Sequence, residues 1–178
     1  TSVNGTNISI SVPIGIEPQN MNFNYNYGTE TKNQLIKWIE SGFLAPGFTL
    51  PNAENTSVHY GDTSKSIELR ARSYMDINCA HCHSDGKHCD YRPLRLSLTE
   101  TKNNNTNMGV CVETADMQDF EPALATLVTP GNINRSMLYH RLNTTDEAYR
   151  MPLHGRSVIH EEGIALIEQW INSLENCD

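Results

Sequence analysis

An all-α fold is predicted by three observations along this chain of 178 residues. Ile164, Ile167, Trp170, Ile171 and Leu174 recur at three- and four-residue spacing, so they line one face of a terminal helix. Ile67, Ala71, Tyr74 and Met75 form a second stripe of the same kind. Met137, Leu138, Tyr139 and Leu142 supply the inner side of a third, shorter helix.

The elements follow in order. Residues 1–28 are rich in Asn, Pro and Gly and lack helical periodicity; Ile8, Ile10 and Val12 alternate with polar residues, as in one short strand or a surface wrap. Thr29 or Thr31 can cap a first helix carrying Leu35, Ile36, Trp38 and Ile39 and ending at Gly42. Pro46, Gly47 and Pro51 then break the chain, and 44–62 reads as a connection. The next helix should start near Thr63 or Ser64, with Glu68 in its first turns. Residues 84–130 are loop-rich, with Pro93, an Asn run at 103–107, Pro122 and Pro130-Gly131. Glu161 and Glu162 open the last helix, where they complement its dipole. The expected organisation is an N-terminal extension over 1–60, with one helix packing on the core, and a domain over 61–178 carrying an insertion at 84–130.

Charge narrows the functions available. Thirteen Lys and Arg stand against 21 Asp and Glu, a net charge of −8, with no basic stripe, so nucleic acid is not an expected partner. No apolar run approaches the ~18 residues of a membrane span. The first residue is Thr1 and no signal pattern follows, as in a processed or truncated form.

One pentapeptide carries the chemistry. Cys79-Ala80-His81-Cys82-His83 spells Cys-x-x-Cys-His, the pattern that attaches a c-type haem covalently. Two thiols three positions apart can form thioethers to one edge of a porphyrin, and the next residue sets an imidazole under the iron. Such haems are attached outside the bacterial cytoplasm, so an exported, periplasmic or extracellular protein is expected. Cys89 and Cys111 bracket a Thr/Asn-rich loop; their pairing there would contribute ~3 kcal/mol. Cys177 is then left free or intermolecular; the alternative is three separate thiols.

The sixth iron ligand points to Met151, on the loop Arg150-Met151-Pro152-Leu153. Methionine is a soft neutral ligand that favours Fe(II), and Pro152 stiffens the loop. Met21, Met75, Met108, Met117 and Met137 fit less well by position. The order of helix, haem motif, variable segment, short helix, Met-Pro loop and terminal helix resembles class I cytochrome c. The strings RARSYMDINCAHCH, TPGNINRSMLYHRL and RMPLHGRSVIHEEGIALIEQWI resemble the C-terminal haem module of secreted bacterial cytochromes, often two-haem proteins. The stretches PQNMN and NQLIKWIESGFL resemble the segment that precedes that module.

The resemblance implies a class I cytochrome c-like helical core around one haem c, held by Cys79 and Cys82 with His83 and Met151 as axial ligands. It also implies a proline carbonyl on the His83 Nδ1–H, for which Pro93 is the candidate. Ala71 and Tyr74 would form a small/aromatic crossing with the terminal helix beside Trp170. Arg92 and Arg150 lead Arg95 and Arg141 as partners for the haem propionates.

The function expected is outer-sphere electron transfer between Fe(III) and Fe(II), with no acid, base or nucleophile. Its partners would be exported redox proteins, among them other cytochrome subunits or a dehydrogenase or oxidase. Two alternatives stand beside it. Haem-based catalysis of a peroxidase kind, or ligand sensing, would need a labile sixth position and could enlist His81, His154 or His160, with His81 expected to point outward. A structural zinc module would draw on Cys79, Cys82, His83, His88 and Cys89, a cramped set for a tetrahedral site.

Overall fold

The computed structural model describes residues 17–117, 120–153 and 156–177, together with the backbone pairing of β1 (Ser2–Val3) with β2 (Thr6–Asn7). The alternating Ile8–Val12 segment lies outside them. A four-residue helix α1 (Pro18–Met21) starts on a proline, whose fixed φ suits a first helical turn. Strands β3 (Asn24–Asn26) and β4 (Thr31–Asn33) pair antiparallel around Gly28, which takes φ +87° while its N–H donates to Asn26 Oδ1 at 2.8 Å. The Asn33 side chain accepts from the amides of Leu35 and Ile36 and so caps α2 (Gln34–Glu40).

The longest helices come later. Ser66 Oγ accepts from Leu69 N at 3.2 Å and opens α3 (Ile67–Cys79), a few residues beyond the expected start. The reason is local: Asp62 holds Ser64 in a turn, its Oδ1 accepting from Ser64 N at 3.1 Å. Helix α4 (Met137–Leu142) has no side-chain cap. Instead its first amides, of Met137 and Leu138, donate to the carbonyls of Thr126 and Leu127 at 3.0 and 2.9 Å. Helix α5 (Glu161–Ser173) closes the fold, with Glu161 and Glu162 in its first turn as expected.

The architecture is not all-α, contrary to expectation. Five helices make only 33% of the structure helical, and they stand with two-stranded antiparallel sheets. The hairpin escaped sequence reading because β3 is exposed throughout and β4 is at most half-buried, so no in–out hydrophobic alternation marks them.

One core joins these parts. Ala71 and Met75 of α3, Ile164, Ile167, Trp170 and Ile171 of α5, and Leu138 and Leu142 of α4 form a single buried cluster. Leu94, Leu96, Met108, Val110 and Val128 belong to the same cluster, so the 84–130 segment builds the core as well as covering it. Val110 bridges Val128, and Thr126 bridges Ser136, which carries this segment onto α4.

Where α3 crosses α5 the small partner is Gly163. A Cβ there would lie 2.2 Å from Tyr74 Oη and 2.6 Å from His160 Nδ1. The expected aromatic, Tyr74, is present; its small counterpart sits on α5, while Ala71 is buried in the core. Asp76, on the other side of α3, accepts from Leu98 N at 2.8 Å and from Gln19 Nε2 and Ser57 Oγ at 3.4 Å each. One buried carboxylate thus gathers the N-terminal segment and the 84–130 segment onto the helix.

The disulfide pairing also differs from expectation. Cys111 joins Cys177, and Cys89 is a free thiol. The 110–112 strand-like stretch is held against 127–128, beside the end of α5, whereas Cys89 is turned back onto Cys82. Among the described residues no helix is long and apolar enough to cross a membrane.

Candidate functional site

The cysteine motif begins on the last residue of α3 and continues as helical turns. Cys82 N and His83 N both donate to Cys79 O, at 3.0 and 2.9 Å. The two cysteines therefore lie one turn apart on a rigid support. The Cys79 sulfur packs against the core, and burial, reinforced by Cys82 and Asp76, pushes its thiol up to about 12. An uncharged sulfur is the form this position favours, whether thiol or thioether.

Three free cysteines come together around the motif. Cys89 N donates to Cys82 O at 2.9 Å, and burial, with the Cys82 thiol beside it, raises the Cys89 thiol above its ordinary value. Among the described residues, no three His, Cys, Asp or Glu side chains are placed to hold a metal ion.

His83 is half-buried. Burial first, then the cationic surroundings of His81, Arg92, Arg95 and Arg141, hold its imidazole below the ordinary histidine range. A neutral ring with a lone pair is what a metal demands. Leu96 N donates to the His83 carbonyl at 2.7 Å and fixes the backbone. The ring is less complete: His83 Nδ1 is buried with no partner, so the expected Pro93 carbonyl does not meet it. Pro93 is exposed, in a turn that Arg95 organises by donating to the carbonyls of Asp90, Arg92 and Leu94. His81, expected to point outward, is half-buried with its own Nδ1 unpartnered.

Met151 is half-buried on a loop anchored to α4. Its N–H donates to Arg141 O at 2.9 Å, while Arg141 Nη1 donates to Tyr149 O at 3.1 Å. The Arg141 guanidinium also lies over the Phe120 ring, 4.8 Å from its centroid. Arg92 pairs with Asp116 at 3.8 Å, and Arg150 with Glu147 at 3.1 Å.

Sequence reasoning missed Arg156. It donates to Leu142 O at 2.5 Å and to Thr144 O, and so ties the end of α4 to the far side of the Met151 loop. Its Nε and that of Arg150 are both buried without partners, and Arg150 bears on the Arg156 charge. Its signal was position alone, five residues beyond Met151 in the same loop. His154 lies outside the described residues.

No protein-family model, curated protein or solved structure matches this chain. Two cysteine sulfurs one helical turn apart, an imidazole directly after the second, and arginines with unpaired buried Nε atoms fit an iron porphyrin bearing carboxylates. Two surface recesses are also present. One, of about 270 Å³, is lined by Tyr60, Arg70 and Leu166; the other, of about 190 Å³, by Phe120, His140 and Tyr149.

Proposed function

We propose that this chain is an exported electron carrier holding one haem c through Cys79 and Cys82, with His83 and Met151 as axial ligands. When bound, the haem supplies a one-electron Fe(III)/Fe(II) couple. The observation that carries the reading is the motif Cys79-Ala80-His81-Cys82-His83 at the end of α3, with Cys79 packed against the core and the His83 Nδ1 buried without a partner.

The chain's own residues would act by holding rather than reacting. Cys79 and Cys82 fix the cofactor to a helix that is itself locked to α5. The carbonyl bond from Leu96 N keeps the His83 backbone in place, and burial disfavours the protonated form of its ring. Arg141 restrains the loop bearing Met151 at two points, which suits a weak ligand that must not exchange. Arg92, Arg95, Arg141, Arg150 and Arg156 collect positive charge in an acidic chain, which suits the propionates. The partner of such a carrier would be an exported redox protein, another cytochrome subunit or a dehydrogenase or oxidase. The Cys111–Cys177 disulfide is compatible with an oxidising compartment.

The test is the intact mass of the full chain produced in a host that attaches c-type haem. The expected result is one haem of added mass that survives acid extraction, with Cys82→Ala losing the double linkage. Met151→Ala should keep the haem, lower the midpoint potential and abolish the ferric charge-transfer band of methionine ligation. A mature chain without added mass overturns the proposal.

A further inference from the structure

Cys89 has no place in the haem reading, and its expected partner, Cys111, is joined to Cys177. Its position is nevertheless specific. Its N–H donates to the Cys82 carbonyl at 2.9 Å, and both side chains are half-buried free thiols. Such a backbone bond holds two Cα atoms within roughly the 4.4–6.8 Å that a disulfide spans. The Cys79 sulfur, by contrast, is packed against the hydrophobic core formed by α3 and α5. The protein also closes a disulfide elsewhere, so its folded form is compatible with thiol oxidation.

We propose that in the haem-free chain Cys82 and Cys89 form a disulfide that withholds Cys82 from the cofactor. Two S–H bonds break and one S–S bond forms; two electrons and two protons pass to the disulfide of an exported dithiol–disulfide oxidant, which leaves as a dithiol. A sulfur already in a disulfide cannot form a thioether. Attachment at Cys82 therefore requires an external dithiol to reduce the bond first, returning two electrons and two protons and leaving Cys89 as a thiol. The competition with haem rests on the function proposed above; the sulfur pairing does not.

The sequence supplies a clean readout, because Lys87 lies between the two cysteines and the Arg92-Pro93 bond resists trypsin. The haem-free full chain is equilibrated with oxidised glutathione, alkylated and digested. A Cys82–Cys89 bond links two peptides, 73–87 and 88–95, whereas a Cys79–Cys82 bond stays inside the first. The linked pair is expected in the wild type and in Cys79→Ser, and is lost in Cys89→Ser. An internal bond in 73–87, or full alkylation of all three thiols, overturns the pairing. In a haem-attaching host without added dithiol, Cys89→Ser should load haem severalfold better than wild type. Equal loading overturns the competition. If neither form takes haem, the functional reading and the competition fail together, while the linked peptides stand on their own.

Discussion

Arg141 accepts the Met151 amide on its carbonyl at 2.9 Å and donates from its guanidinium to Tyr149 at 3.1 Å, so one residue of α4 grips the loop on both sides of Arg150. The same guanidinium lies against Phe120. The backbone contact survives any substitution, but the side-chain contacts do not.

Arg141→Ala should therefore loosen the Met151 loop without unfolding the protein. One charged hydrogen bond and a cation–π contact amount to about 2–3 kcal/mol. Urea denaturation of the haem-free chain measures that loss. In the haem-loaded chain, the methionine charge-transfer band should weaken, with Arg141→Lys intermediate. A band of full strength in Arg141→Ala would show that the loop holds Met151 without this residue.

Gly163→Ala sets two effects against each other. Alanine gains about 1 kcal/mol of helix propensity over glycine. Its Cβ, however, would lie 2.4 Å from Tyr74 Cζ as well as 2.2 Å from Oη, and the 3.1 Å Tyr74–His160 contact would have to open. Overpacking of about 1–3 kcal/mol should win, lowering stability. In a Tyr74→Leu background the same change should be neutral or stabilising, because the ring is gone. Additive effects in the double variant would refute the direct clash.

Asp76 should make stability depend on pH. Burial raises its carboxyl, with the Leu98 amide and the Gln19, Asn20 and Ser57 side chains opposing. A folded pKa above the unfolded value means the folded chain binds the proton more tightly. That contribution is complete below about pH 4 and is lost as pH rises through the raised value. Asp76→Asn should flatten this part of the urea-denaturation profile while its amide oxygen still accepts from Leu98. Asp76→Ala should flatten the profile as well and add a cost of about 1–3 kcal/mol by leaving that buried amide unpaired. Parallel profiles for wild type and Asp76→Asn would rule the linkage out.

Reduction of Cys111–Cys177 should be costly. A sequence separation of 66 corresponds to about 4 kcal/mol of chain entropy. Cys111→Ser and Cys177→Ser should each lower Tm by similar amounts, and dithiol should have little further effect on either variant.

The two long helices were legible because each buries a stripe: Ala71 and Met75 on α3, and Ile164, Ile167, Trp170 and Ile171 on α5. Asn33 and Ser66 are ordinary caps, yet neighbouring Thr and Ser residues offered equal claims, so the helix starts drifted by a few residues. The β3–β4 hairpin was not legible, since neither strand has a buried face to leave a pattern. Nor was the partner of Cys111, because spacing along a chain says nothing about which turn returns beside which helix. At the candidate site the cysteines and His83 announce themselves through spacing. Arg156 and the return of Cys89 onto Cys82 depend on tertiary contacts that no local pattern encodes.

The burial of Leu94, Leu96, Met108, Val110 and Val128 has a consequence for how this molecule tolerates change in length. Between the cysteine motif and α4, insertions and deletions should be tolerated only in outward stretches such as the exposed turn at 102–104, where Asn103 takes a left-handed φ of 53°. Excising the whole span would remove one wall of the interior, and the two long helices would be left with apolar faces open to water.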